Sequence, residues 1–146
     1  MKKIFVTGGH VTPALAVIAE LKKRSFEIYY VGRRYALEGD RATSVEYDLV
    51  KQSGIPFLPL TTGRWQRRMT LRGLLSVLKI PFGFIQSFLY IRRYRPNVIL
   101  TFGGYVGLPV SLIGTLFRMP VVLHEQTLSP GLSNRIVARF ARVVCV

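Results

Sequence analysis

The sequence predicts an α/β fold: a parallel sheet with helices packed on both faces. Three observations predict it. Short apolar runs of strand length alternate along the chain with segments of helical period. Two of those runs open into glycine pairs, Thr7-Gly8-Gly9 and Phe102-Gly103-Gly104, as strand-to-helix turns do. Finally, 146 residues that are 49% hydrophobic and 19% charged suit one domain with its own core and not a disordered tail.

Lys3 to Val6 reads as a buried strand. Pro13 to Lys23 reads as a helix, with proline in its first turn and Leu15, Ala16, Ile18, Ala19 and Leu21 as its apolar residues. Glu27 to Val31 is a second strand, and the polar stretch 33–53 is a loop and short helix ending at Gly54. Pro56 to Leu60 is a weaker strand because prolines bracket it. Asn97 to Phe102 is a strand, Val106 to Phe117 a helix, and Val121 to His124 another buried strand. Leu132 to Arg142 is a helix in which Asn134 and Arg135 cap or solvate the first turn, and Val143 to Val146 starts a strand. No repeat or interior domain boundary interrupts this order. The apolar ending predicts the first half of something longer.

Charge is the strongest compositional signal. Lys and Arg total 21 against 7 Asp and Glu, a net charge of +14, which predicts a polyanionic partner. Six of the acids lie in the first 48 residues, and Leu49 to His124 contains none beside ten basic residues. Glu125 is therefore a lone carboxylate in a basic half. The single cysteine, Cys145, excludes a disulfide framework and a Cys-based zinc site. The apolar run Ile4 to Val6 is too short for a secretory leader, which predicts a cytoplasmic chain.

The segment from Arg64 to Arg95 is both basic and apolar. Arg64, Arg68 and Arg72 recur every four residues, and Leu71, Leu74, Leu75 and Leu78 follow the period of one helix. Pro81 and Gly83 break that pattern before Phe84, Ile85, Phe88 and Leu89 resume it. A bilayer span over 73–91 is opposed by the central Lys79, which costs roughly 2.5–3.5 kcal/mol at mid-membrane. Two readings stay open: core helices with solvated basic ends, or an interfacial patch on anionic lipid formed by Arg64, Trp65, Arg68, Arg72, Leu75, Lys79, Phe82, Phe88 and Arg92. Nucleic acid is not expected, since no helix-turn-helix, zinc-finger or RNP-type pattern is present.

In open parallel sheets, ligands bind outside the carboxyl ends of the strands. Three unusual sequences fall there. In Thr7-Gly8-Gly9-His10 the glycines let backbone approach a ligand beside a helix N-terminus that attracts diphosphate. His10 is either a proton acceptor or a helix-start hydrogen bond. Phe102-Gly103-Gly104-Tyr105 repeats the pattern, or is a tight turn with a packed tyrosine. In His124-Glu125-Gln126-Thr127, Glu125 can take a proton or hold a substrate hydroxyl, or form a salt bridge to a basic neighbour. His124 ends a buried strand and reads as structural. A nicotinamide-binding fingerprint is disfavoured because no third glycine follows Gly9, where the loop runs into His10-Val11-Thr12-Pro13, although Glu27 lies near the distance at which that motif has an acid. No D-x-D pair is present, so neither a metal nor a cofactor is expected.

Together, TGGHVTPALAV, TFGGYVGLP and HEQTLSPGLSNR resemble the N-terminal half of the MurG family, peptidoglycan N-acetylglucosaminyltransferases of the two-lobed GT-B fold. The resemblance covers essentially the whole chain. It implies that residues 1–146 are a Rossmann-like acceptor-binding lobe and that the C-terminal donor lobe lies outside them. It implies inverting transfer of GlcNAc from UDP-GlcNAc to the lipid-linked diphosphate-sugar acceptor lipid I, giving lipid II for cell wall biogenesis, cell shape and division, at the cytoplasmic face of the membrane.

The same resemblance implies that Thr7, Gly8 and Gly9 face the donor, that Gly103, Gly104 and Tyr105 cradle the acceptor diphosphate, and that Gln126 and Thr127 line the sugar site. His10 and Glu125 are then the two candidates for deprotonating or orienting the acceptor hydroxyl. Two departures from the family pattern stand out: Val6 precedes Thr7 without a preceding Gly-Gly pair, and Thr127 replaces an asparagine. Without a donor lobe this half is expected to be inactive. The alternative is a non-catalytic membrane-anchoring subunit that recruits a separate catalytic chain, an arrangement similar to the eukaryotic dolichol-linked transferase.

Overall fold

The computed structural model describes residues 1–35, 42–63, 78–127 and 129–146. Its elements run β1 (Lys3–Thr7), α1 (Val11–Lys23), β2 (Glu27–Gly32), α2 (Val45–Gln52), β3 (Phe57–Pro59), α3 (Ile80–Tyr94), β4 (Val98–Thr101), α4 (Gly104–Leu116), β5 (Val121–His124), α5 (Leu132–Ala138) and β6 (Val143–Cys145). The six strands form one parallel sheet in the order β3-β2-β1-β4-β5-β6. Central β1 pairs on both sides, with Ile4 opposite Ile28 on β2 and Val98 on β4.

Alternation along the strands divides the core into two layers, because successive side chains point to opposite faces. Ile4, Val6, Ile28 and Tyr30 pack with Ala14 and Ile18 of α1 and Val50 of α2. Phe5, Val31, Ile99 and Leu123 pack on the other face with Ile91 of α3, Val106 and Val110 of α4 and Val137 of α5. The expected α/β architecture, with helices on both faces, is therefore present.

Several boundaries differ from the sequence expectation. Helix α1 begins at Val11, so Pro13 is its third residue. Helix α4 begins at Gly104, because Gly103 turns the chain with φ +75° directly after the strand. Helix α5 stops at Ala138 rather than Arg142, whose amide already donates to Val121 O and leads the chain into β6. Pro81 does not break α3 but stands at its second position, where its missing N–H is no loss.

Helix α3 carries an inverted face. Its buried positions are Gly83, Ser87 and Ile91. The Ser87 hydroxyl is satisfied by donating to Gly83 O at 2.7 Å. Gly83 sits so close to the segment after β3 that a Cβ there would lie 2.6 Å from Thr62 Cβ. Ile91 is in the core with Phe84 packed against it, whereas Phe82, Ile85 and Leu89 point outward and are 61%, 56% and 56% exposed. Phe88 is also exposed and its ring lies 5.5 Å from that of Phe117, so the apolar surface continues onto the end of α4 with Leu116. Lys79, at the start of α3, is half-buried, while Arg92, Arg93 and Arg95 at its far end and Arg118 after α4 are exposed. Of the expected interfacial patch, Arg64, Trp65, Arg68, Arg72 and Leu75 lie outside the described residues, as do Leu71 and Leu74. Among the described residues, no helix is long and apolar enough to cross a membrane.

The inversion has a measurable consequence. Replacing Gly83→Val is expected to cost about 1–3 kcal/mol by overpacking against Thr62. Replacing Phe82→Ser, on the outward face, is expected to stay within about 0.5 kcal/mol. The urea midpoints of the two variants check this.

Candidate functional site

The order of the sheet reverses between β1 and β4, and that is where a crevice opens at the carboxyl ends of the strands. The loops after β1 and β4 meet across it. Phe102 N donates to Thr7 O at 2.7 Å, and Gly9 N donates to Gly103 O at 3.1 Å. Gly8 makes the approach possible: its φ is +134°, and a Cβ would lie 2.7 Å from the Phe102 backbone.

His10 stands immediately before α1 and is half-buried. Its Nδ1 lies 3.0 Å from Phe102 O. A carbonyl only accepts, so the proton of this bond is on Nδ1, and whenever the ring is neutral it is Nε2 that carries the lone pair. His10 thus makes the helix-start hydrogen bond and, by making it, presents an acceptor nitrogen; the two sequence readings are not exclusive.

Glu125 follows β5 and is only 6% exposed. Thr127 N donates to its Oε1 at 2.9 Å and Thr127 Oγ1 donates to the same oxygen at 2.6 Å. Asn134 Nδ2 donates to Oε2 at 2.5 Å. Burial by itself pushes this carboxyl up. The hydrogen bonds from Thr127 and Asn134, with the charge of His10, outweigh it and hold the group below the ordinary carboxylate value. Among the described residues Glu125 forms no salt bridge, so the ion-pair reading gives way to one of neutral donors. Thr127 takes part as a clamp on Glu125, with both its amide and its hydroxyl turned back to the carboxylate.

Asn134 is the residue that sequence reasoning underrated. It is the third residue of α5, buried, and it does not act as a cap. Its Oδ1 accepts from Gly104 N at 2.8 Å while its Nδ2 donates to Glu125, so one amide joins the second glycine loop to the carboxylate. Nothing in its spacing marks it, because its partners come from β4 and β5 rather than from its own helix.

The structure brings Gly9, His10, Gly103, Gly104 and Glu125 to one crevice. It also changes what the glycines can do. The N–H groups of Gly9, Gly103 and Gly104 are taken by Gly103 O, Thr101 Oγ1 and Asn134 Oδ1. They hold the loops to each other rather than presenting amides to an anion. The positive end of the helix dipole remains at the starts of α1 and α4, and neither N-cap residue, His10 or Gly103, makes a side-chain cap. Thr7 is fully buried, so its side chain lies beneath the crevice and not in its opening. Tyr105 is half-buried, with the Arg33 guanidinium 5.4 Å from its ring centre. Gln126 is exposed. The His124 ring packs 5.3 Å from Phe102, in keeping with a structural role. Among the described residues, no group of three or more His, Cys, Asp or Glu side chains could hold a metal ion.

Comparison with known proteins places this geometry. The UDP-N-acetylglucosamine--N-acetylmuramyl-(pentapeptide) pyrophosphoryl-undecaprenol N-acetylglucosamine transferase of Clostridium botulinum is 35% identical over 150 positions, covering 100% of this chain and 40% of that protein. A Bacillus cereus transferase of the same description, numbered 2, is likewise 35% identical, with the same coverage. The chain thus spans about two fifths of the length of these relatives. The crystal structure of Acinetobacter baumannii MurG superposes with a TM-score of 0.77 and 27% identity, over 99% of this chain and 41% of that one. The Streptomyces glycosyltransferase SsfS6, at 17% identity and a TM-score of 0.61, shares the fold. The sequence matches the glycosyltransferase family 28 N-terminal domain over residues 7–146, and the chain belongs to that family.

Proposed function

We propose that this chain is the acceptor and membrane-docking lobe of an inverting hexosyltransferase that moves GlcNAc from UDP-GlcNAc to the 4-hydroxyl of MurNAc in lipid I, forming lipid II. A donor lobe, in the same or another chain, completes the enzyme. The observation that carries this reading is the convergence of His10, two glycine loops and Glu125 on the crevice between β1 and β4. The names of the relatives supply the substrates.

In this reading His10 Nε2 takes the proton of the acceptor hydroxyl. The oxygen attacks the anomeric carbon from the face opposite the phosphate, the bond to the diphosphate breaks, and UDP departs. The lowered carboxyl of Glu125 makes it a weaker base, so Glu125 stays ionised and stabilises the imidazolium formed on His10. Asn134 holds that carboxylate in place. The positive dipole ends of α1 and α4 face diphosphate oxygens, with Gln126 reaching the sugar.

The outward face of α3 and the end of α4 serve as the membrane contact. Phe82, Ile85 and Leu89 enter the headgroup boundary, and Arg92, Arg93 and Arg118 meet anionic phosphate. The chain then works as a peripheral protein on the cytoplasmic leaflet, where its lipid-tethered acceptor resides.

Two tests follow from this reading. In the enzyme reconstituted with a donor lobe, His10→Ala is expected to lower kcat by about 10²-fold or more. Asn134→Ala is expected to lower it about 10-fold and to raise the Glu125 carboxyl pKa measured by NMR, since a donor to the ionised form is lost. Unchanged turnover in both variants removes this pair from the mechanism. For the membrane contact, vesicles containing phosphatidylglycerol should retain the chain at low salt. The combined variant Phe82→Ser, Ile85→Ser, Leu89→Ser should lower retention at least about tenfold. Equal retention of variant and wild type would assign docking to another surface.

A further inference from the structure

The one buried carboxylate besides Glu125 among the described residues lies outside the crevice, and the mechanism above does not use it. Glu46 is the second residue of α2 and is buried. Its carboxyl lies on the bare Cα of Gly32, in the space a side chain there would fill, and against the Tyr30 ring. The chain after β2 is fastened to this point from outside: Ser44 N donates to Arg34 O at 2.9 Å and Ser44 Oγ donates to Arg33 O at 2.6 Å.

Two contacts lead from Glu46 to the crevice. Tyr30, fully buried, has its ring beside the Glu46 carboxyl in the space over Gly32, and its hydroxyl donates to Gly8 O at 3.1 Å. Arg33 directly follows Gly32, on which the Glu46 carboxyl lies, and its guanidinium lies over the ring of Tyr105. The first contact ends on the glycine loop after β1, the second on the loop after β4.

We propose that Glu46 is a positioning residue that sets the two glycine loops relative to each other, through Tyr30 on Gly8 and through Arg33 on Tyr105. Its consequence for catalysis rests on the acceptor-lobe reading; its geometry does not. Burial pushes the Glu46 carboxyl up to about 7 against the opposing pull of Arg33. A protonated Glu46 can donate to the Tyr30 oxygen while Tyr30 donates to Gly8, so a neutral isostere is expected to preserve the arrangement. Burial likewise pushes the Tyr30 hydroxyl far above its ordinary value, which keeps it a donor.

The amides of Gly9 and Gly104 report directly on the loops, because each bonds across to another element. NMR-detected hydrogen exchange on the full chain tests the proposal. Glu46→Ala is expected to speed exchange at both amides about tenfold or more while β1 and β4 stay protected, and Glu46→Gln to restore slow exchange. Tyr30→Phe should speed Gly9 and Arg33→Met should speed Gly104, which keeps the proposal testable if Glu46→Ala fails to fold. Exchange at both amides within about twofold of wild type in the folded variants overturns it. With UDP-GlcNAc and lipid I as probes in the two-lobe enzyme, Glu46→Ala should raise the acceptor KM more than it lowers kcat. A wild-type enzyme with no turnover on lipid I would refute the acceptor-lobe reading and leave the exchange result to decide on Glu46.

Discussion

The Asn134 side chain is the joint on which the site depends. A single planar amide accepts from Gly104 N and donates to Glu125, so a backbone loop after β4 and a carboxylate after β5 are held by one rigid group. A hydrogen bond to a charged partner contributes about 1.5–3 kcal/mol. The larger effect here is geometric. Glu125 is almost fully buried in a chain rich in arginine, and it is kept ionised mainly by the neutral donors Thr127 and Asn134, with the charge of His10 as the smaller influence. A carboxylate stabilised in this way keeps its negative charge for whatever enters the crevice, whereas an arginine partner would have neutralised it.

The same economy governs the glycines. A glycine-rich turn at a helix start is commonly read as a cradle for phosphate. In this chain the amides of Gly9, Gly103 and Gly104 are bonded within the protein, and the absence of side chains serves the close crossing of two loops. What attraction for anions the site keeps comes from the helix dipoles at the starts of α1 and α4. The loops set the distance between those two helix starts, and Tyr30, Arg33 and Glu46 stand behind the loops.

Helix α3 shows how a surface can be built by turning a helix over. Its small residues face the core because Thr62 and the segment after β3 pack directly on Gly83. Phe82, Ile85 and Leu89 are left to solvent on a helix that ends in arginines, while Ile91 stays in the core. Burying the large residues would have been the ordinary outcome of the hydrophobic effect. An exposed apolar stripe with basic residues beside it is the pattern on which the membrane contact is proposed.

Strand and helix order, the parallel sheet, the three strand-end loops and the prominence of His10 and Glu125 were all legible in the sequence, because hydrophobic period and glycine placement are local properties of the chain. So was the family, from three motifs in order. Tertiary structure alone decided which face of α3 is buried, which glycine amides are already spent, the tautomer of His10, and the parts played by Asn134 and Glu46. Each of these rests on a contact between residues far apart in sequence: Thr62 with Gly83, Phe102 with His10, Gly104 with Asn134, Tyr30 with Gly8. A local pattern specifies which segment becomes a helix or a strand. Only the order in which the strands assemble specifies which loops meet, and hence which atoms are left to do chemistry.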